Sequence, residues 1–308
     1  MKPPTPLLVI VGPTASGKTK LSVDIALATG GEIVNADSVQ LYAGMDIGSA
    51  KATLVERRGV AHHLLDVLDV TSEASVAQFQ QLARSAIDSI QARGAPAILV
   101  GGSSLYVRAV IDPLDFPGTD PAVRAKWTEE LQRLGASALH QLLAERDPAA
   151  AAQILPTNGR RIVRALEVGE ITGEPFVATL PDYRSIYSNL TMVGLDVDRA
   201  VLDERIDQRV DQMWADGLVG EVESLPGLAG SRTASRALGY QQVLAYLAGD
   251  LTADEARAEI KSGTKKFARR QDRMMRKDPR IHWIEYDASN AVEQVLSLVD
   301  SAPSDLAP

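Results

Sequence analysis

The sequence contains no cysteine. That absence excludes a disulfide scaffold, thiol catalysis, iron–sulfur clusters and cysteine-ligated zinc, and it fits a chain working in the reducing cytoplasm, its expected location. Long apolar runs are missing too: the longest near the start, Leu7 to Val11, falls far short of the roughly 20 residues of a membrane-spanning helix. No apolar signal core stands apart from that run, so no export signal is expected. The sequence carries no internal repeat and no low-complexity tract. Its 45% apolar and 23% charged residues lie near the globular average, which argues against disorder and against a fibre. A length of 308 residues sets a prior of two domains. The net charge of −8 speaks, as an average, against nucleic-acid binding, but the charge is unevenly placed.

Leu7 to Val11 reads as a strand buried on both faces of a parallel sheet. A glycine-bounded loop and an amphipathic stretch from Lys18 to Ala28 follow, and Glu32 to Asn35 reads as a second short strand. A helical pattern from Ser75 to Arg93 leads to another buried strand, Ala97 to Val100. This alternation predicts an α/β fold with a parallel sheet core flanked by helices, and the loop motif at 12–19 makes that core P-loop NTPase-like. After about Ile111 the prolines Pro113, Pro117 and Pro121 break the pattern, and the chain to Gly173 is rich in Ala, Leu, Glu and Arg. Strand-like sequence returns at Thr191 to Val197, followed by helical stretches at Arg199 to Gly217 and Thr252 to Lys277 and a strand at Ile281 to Tyr286. The expected organisation is therefore a core of 1–112 and 191–300, interrupted by a small all-helical insertion domain at 113–190, with a flexible tail at 301–308.

Gly12-Pro13-Thr14-Ala15-Ser16-Gly17-Lys18-Thr19 matches the phosphate-loop pattern G-x-x-x-x-G-K-[ST] in the expected place between a strand and a helix. Glycines let successive N–H groups point at one anion, the helix adds its positive end, Lys18 adds a charge and the Thr19 hydroxyl suits Mg²⁺. The loop does not name the reaction. Each asparagine, Asn35, Asn158, Asn189 and Asn290, lacks the following lysine of an Asn-Lys-x-Asp guanine reader. The strand at 97–100 ends in glycines where a motor ATPase wants an acid. A small-molecule kinase stays open, as does a non-catalytic RNA-binding protein with an anion socket. Asp37 follows the second strand, so it is expected in the same crevice as Lys18, as a proton acceptor, a helix cap or a turn residue.

The motifs GPTASGKT at 12–19, NADSVQLYAGMDIGSAK at 35–51, HHLLD at 62–66, LVGGSSLYVRA at 99–109 and RALEV at 164–168 occur in one order. IDQRVDQMWADGLVGEV at 206–222, SRALGY at 235–240 and FARRQ at 267–271 follow. Together, over about residues 8 to 285, the chain resembles the tRNA dimethylallyltransferases, or tRNA isopentenyltransferases. The resemblance implies transfer of a dimethylallyl group from dimethylallyl diphosphate to the exocyclic amine of the adenine 3′ of the anticodon. It implies that the loop grips the donor's pyrophosphate, that Asp37 is the general base, and that Ser103 and Arg209 complete the pyrophosphate site. Residues alone read Arg209 as a solvated arginine on an acid-rich helix. Ser103 and Ser49 stand where the family commonly has Thr, Gln241 where a basic residue is usual, and Met274 where Trp is usual; His62 and His63 read as structural.

Residues 261 to 280 hold nine Lys or Arg against Asp272 and Asp278, a local +7 that leaves −15 for the rest. On a helix Arg269, Arg273 and Arg276 share a face, with Ile260, Phe267 and Met274 on another. Such a stripe, which includes Arg270 and Gln271, suits a phosphate backbone. With the resemblance it implies a tRNA anticodon stem-loop as partner, also met by Arg124 and the cluster Arg160, Arg161 and Arg164. The target adenine is expected to flip into a channel lined or approached by Asp37, Ser38, Val39, Gln40, Arg236, Gly239 and Tyr240. Ser103 is expected beside it. The chain is expected to work as a monomer, away from membranes, with Mg²⁺ as its only cofactor.

Overall fold

The computed structural model describes residues 5–177 and 182–301. The first half runs β1 (Leu7–Val11), α1 (Lys18–Thr29), β2 (Glu32–Asn35), α2 (Leu54–Arg57), β3 (His62–His63), α3 (Val76–Ala92), β4 (Ala97–Gly101) and α4 (Ser104–Ile111). Three helices follow, α5 (Pro121–Arg146), α6 (Pro148–Gln153) and α7 (Gly159–Thr172). The chain then returns to β5 (Leu190–Asp196), α8 (Arg199–Ala215), α9 (Leu218–Glu223), α10 (Tyr240–Leu247), α11 (Ala253–Met275), β6 (Ile281–Glu285) and α12 (Ala291–Ser301). No helix among the described residues is long and apolar enough to cross a membrane.

The strands form one parallel sheet in the order β3-β2-β4-β1-β5-β6. β1 lies inside it, with Leu7 opposite both Ala97 and Leu190. Its unbroken apolar run is explained by cover on both faces: Leu7, Val9 and Val11 pack with Phe79, Ile87 and Val110, whereas Leu8 and Ile10 pack with Ile25 and Val295. Each such fully buried side chain contributes about 1.5–3 kcal/mol of transfer free energy. Helix starts follow local chemistry. Ser75 accepts from the Gln78 N–H at the head of α3, and Thr252 and Glu255 form a reciprocal capping box on α11.

Two elements escape the sequence pattern. β3 is a two-residue edge strand on Ile33 and Val34, too short to leave an alternation; its histidines are structural, His63 meeting Glu32 at 2.6 Å and His62 meeting the Val60 carbonyl at 2.9 Å. α12 covers the sheet face over β1, β5 and β6 with Val292, Val295, Leu298 and Val299. Ser301 ends that helix, which corrects the expected start of the tail; 302–308 lie outside the described residues.

Two compact units are present, and Leu114–Asp182 is one of them. Its end differs from the expected residue 190. Tyr183 to Asn189 belong with the sheet because Tyr183 lies against the guanidinium groups of Arg108 and Arg280, the Ile186 N–H bonds to the Ile111 carbonyl at 2.8 Å, and Tyr187 packs on the sheet core. Within the helical unit α5 is interrupted at Gly135, where φ is 79°. Trp127, Leu139, Leu143, Ile162 and Leu166 form its core. Fully buried Glu167 stands among them and accepts from Arg124 at 2.6 Å, Arg164 at 2.9 Å and the Asp120 N–H at 3.3 Å.

Glu167→Ala removes this carboxylate from its two arginines. Both guanidinium groups retain some solvent access (30% and 24%) and can hydrate, so the expected cost is about 1–3 kcal/mol, below that of a wholly buried broken pair. Urea unfolding measures it; a midpoint equal to that of the unaltered chain would contradict this account.

Candidate active site

β1 ends at Val11 and the chain enters the glycine-bounded loop at once. Ala15 (φ 64°) and Gly17 (φ 100°) both stand in the left-handed region. Glycine serves at 17 because a Cβ is strained there; Ala15 keeps that strain in place. The reversals turn successive N–H groups to one side as an anion-binding nest, and α1 begins at Lys18 with its positive end facing the same space. Lys18 Nζ folds back onto the Pro13 carbonyl at 2.6 Å, and the buried Ser16 hydroxyl has no hydrogen-bond partner among the described residues.

A cavity of about 460 Å³ opens over the carboxyl ends of β1, β2 and β4, the place where open α/β sheets bind ligands. The loop contributes Thr14, Gly17, Lys18 and Thr19; β2 and its continuation contribute Asn35, Asp37 and Gln40; β4 contributes Gly101 and the following Gly102. Arg205 and Arg209 enter from α8, and Gln271 from α11. Asp37 is clamped by buried Asn35, whose Oδ1 accepts the Asp37 N–H at 3.0 Å and whose Nδ2 donates to the carbonyls of Asp37 and Leu64 at 3.1 and 3.0 Å. The Asp37 carboxylate accepts the Val39 N–H at 2.9 Å. Burial pushes its pKa above the usual value, against the Val39 hydrogen bond, the charge of Lys18 and the Gln40 N–H. A carboxylate so raised is a better proton acceptor.

The cations of the cavity fall into two groups. Lys20 and Arg58 both pair with Asp24, at 2.9 and 2.5 Å. No carboxylate among the described residues pairs with Lys18, Arg205 or Arg209, while Glu56 is occupied by the Thr53 cap at the head of α2. Burial and then the charge of Arg209 lower Lys18 to about 7, with Asp37 opposing. Arg209 is lowered by burial and then by Arg205, with Glu56 opposing. Cations that repel one another beside a nest of amides define an anion site.

Residues 41–51 are stapled beneath this site. Buried Lys51 binds Asp46 and Asp66 at 2.5 Å each and the Tyr42 carbonyl at 3.0 Å. Glu221 accepts the N–H groups of Asp46, Ile47 and Gly48 at 2.9, 2.6 and 3.1 Å, and the Tyr240 hydroxyl at 2.6 Å. The stapled segment in turn receives Gln40, whose Nε2 donates to the carbonyls of Ser49 and Ala50 at 3.1 and 3.3 Å. Tyr240, expected at the base channel, is therefore turned inward: it is fully buried over Gly48, because Glu221 needs its hydroxyl. Gly239 precedes it in a buried turn, while Arg236 is exposed. Ser38 bonds to Tyr106 and Val39 packs below.

Gln271 also departs from the expected RNA face. It is buried, its Oε1 accepts the Thr14 N–H at 2.9 Å, and its amide lies so close to Gly102 that any Cβ there would collide with it. Ser103 caps α4 through the Tyr106 N–H at 3.4 Å and stands one residue beyond the cavity wall.

The buried stripe of α11 is Ala256, Ile260, Ala268, Gln271 and Met275, whereas Met274 is exposed; a strict seven-residue step drifts off the face of a helix with 3.6 residues per turn. The basic stripe is partly neutralised: Lys261, Lys265 and Arg269 pair with Asp211, Asp207 and Asp203 of α8, each at 2.7 Å. Arg276 pairs with Asp196 and Asp272, and Arg280 with Asp112 and Asp278. Lys266, Arg270, Arg273 and Lys277 have no carboxylate partner among the described residues; Arg270 stacks on Phe267. In the helical unit Arg160 and Arg161 are exposed, but Arg124 and Arg164 are committed to Glu167. Sequence reasoning assigned no part to Asn35, Arg205 or Glu221. An asparagine ending an apolar strand, and an arginine one helical turn before Arg209, were the available signals for the first two; Glu221 left none.

Parallel sheet, phosphate loop and flanking carboxylate define a P-loop-type α/β protein with a candidate anion site at the carboxyl ends of its strands. The family described as IPP transferase matches residues 40–278. A tRNA dimethylallyltransferase of Streptomyces coelicolor is 59% identical over 304 residues, 97% of each chain. The solved tRNA isopentenylpyrophosphate transferase of Bacillus halodurans aligns with a TM-score of 0.72 at 39% identity over 96% of each chain. A eukaryotic dimethylallyltransferase acting on tRNA shares the fold, with a TM-score of 0.78 at 24% identity over 97% of this chain and 77% of its own. The chain belongs to the IPP transferase family, whose members here are tRNA dimethylallyltransferases.

Because Lys18 is lowered in the fold to about 7 from 10.5, the unfolded chain binds the extra proton between those values and stability rises with pH across that window. Lys18→Met is expected to raise the urea midpoint relative to the unaltered chain at pH 6, with the gain shrinking toward pH 10. A gain that grows with pH would refute the assignment.

Proposed function

We propose that this chain transfers the dimethylallyl group of dimethylallyl diphosphate to the exocyclic amine of the adenine 3′ of the tRNA anticodon, releasing pyrophosphate. The observation that carries the reading is one cavity holding a raised carboxyl, Asp37, beside an amide nest and cations without counter-carboxylates. The donor's diphosphate is taken up by the N–H groups of the loop, Lys18 and Arg209. As the allylic carbon–oxygen bond breaks, its electron pair stays on the diphosphate, and these groups stabilise the growing charge. The adenine nitrogen forms the new carbon–nitrogen bond and gives its proton to Asp37. Asn35 holds that carboxyl in register, and Ser103 stands close to the donor end. Family membership disfavours the kinase alternative.

Mg²⁺ fits the Thr19 hydroxyl, which lines the cavity beside the amide nest, because such an ion takes one or two protein oxygens plus substrate phosphates. When bound, it would supply further neutralisation of the diphosphate. The tRNA backbone is read by Lys266, Arg270 and Arg273 of α11 and by Lys277 just beyond its end, assisted by Arg160 and Arg161, and the flipped adenine meets Asp37, Ser38 and Gln40. The reading includes a cytoplasmic location and action as a monomer.

Incubation with radiolabelled dimethylallyl diphosphate and unmodified tRNA tests the reaction. Label is expected in RNA, and Asp37→Asn is expected to cut turnover by about 10²-fold or more with tRNA affinity retained; ATP consumption with unlabelled RNA would overturn the reading. Replacing Arg273 with Gln is expected to lower the slope of log affinity against log salt by about one. Lys261→Gln, which removes a cation already paired to Asp211, should change the slope less. Equal effects would remove α11 as the reader.

A further inference from the structure

We propose that Arg205 is a second diphosphate-binding arginine of the donor site, held in place by the ring of Tyr286; this rests on the donor reading given above. Arg205 precedes Arg209 by one turn of α8, so both guanidinium groups emerge on one side of the helix and both line the phosphate-loop cavity. Its Nη2 lies 3.8 Å from where a Cβ on Gly17 would stand, which sets the group directly against the loop. The ring of Tyr286, just after β6, lies 5.2 Å from the guanidinium carbon and supports it from behind.

The acids of α8 do not neutralise it. Asp203, Asp207 and Asp211 are each taken by a cation of α11, and Glu204 by the Gln208 side chain. Of the cavity acids, Asp24 is shared by Lys20 and Arg58, Glu56 caps α2, and the Asp37 carboxylate accepts the Val39 N–H. Arg205 and Arg209, one turn apart, repel each other: the charge of Arg205 acts at Arg209, where Glu56 opposes it. A polyanion between them and the loop reverses that repulsion. A diphosphate has oxygens enough for the loop amides, Lys18 and both guanidinium forks.

The test is calorimetric binding of inorganic pyrophosphate to the full chain, together with the KM for dimethylallyl diphosphate. Arg205→Met is expected to weaken pyrophosphate and raise the donor KM by about 10- to 100-fold, the range for a lost charge-assisted bond. Arg205→Lys should recover part of the loss. Tyr286→Leu keeps the guanidinium but removes its support, and should cost about 3- to 10-fold in both readouts. Affinity for tRNA and the thermal midpoint of Arg205→Lys should stay unchanged. Pyrophosphate binding within about two-fold of the unaltered chain in Arg205→Met and Tyr286→Leu, or in Arg205→Lys and Tyr286→Leu if Arg205→Met does not fold, overturns the proposal. Lost tRNA affinity with intact pyrophosphate binding also overturns it and moves Arg205 to the RNA surface. Lys18→Met separates the two readings. If it loses pyrophosphate while the Arg205 variants do not, only Arg205 is misassigned; if the unaltered chain binds no pyrophosphate, the donor site and this proposal fall together.

Discussion

Positive charge held without its own counterion sets the terms for the rest of this molecule. In a chain of net charge −8, no carboxylate among the described residues pairs with Lys18, Arg205 or Arg209: Asp24 and Asp203 pair with other cations, and Asp37, its pKa raised by burial, accepts the Val39 N–H. Keeping such groups together costs stability, and the sheet with its helices supplies the apolar burial that offsets it. An anion placed among these groups would lower their mutual repulsion.

Support for Asp37 and the loop comes from polar side chains packed around the cavity. Asn35 converts the end of a strand into a rigid perch for Asp37. Glu221 gathers three amides and a phenol, so a single carboxylate sets the shape of residues 46–48, and Lys51 does the same from the other side with two acids. Gln271 ties the loop to a helix whose outer face is basic. Asn35, Lys51 and Gln271 are buried, Glu221 is half-buried, and all four are satisfied, which is the condition under which polar networks add rigidity.

The core strands were legible because a strand buried on both faces writes an unbroken apolar run, and the loop because its glycines serve backbone angles. β1 and β2 begin and end where the residue pattern puts them. β3 was illegible because two residues cannot alternate, and α12 because its apolar stripe gains meaning only over the sheet face it covers. Lys18 and Asp37 could be placed in one crevice from strand order alone. Tyr240 and Gln271 could not be placed. Both lie in motifs beside charged residues, and only the three-dimensional partners, Glu221 for one and the Thr14 amide for the other, turn them inward. The basic stretch of α11 shows the limit of counting charge: Lys261, Lys265 and Arg269 are answered by acids 50, 58 and 66 residues away.

Those three answering acids sit four residues apart on α8, and so do their cations on α11, running in opposite senses. A ladder with rungs at every turn acts as a gauge of axial phase. Sliding either helix by one turn would leave an end rung unmatched, and would also carry Arg205 and Arg209, or Gln271, away from the cavity. The same pairs that neutralise part of the basic face of α11 therefore fix where these three side chains stand.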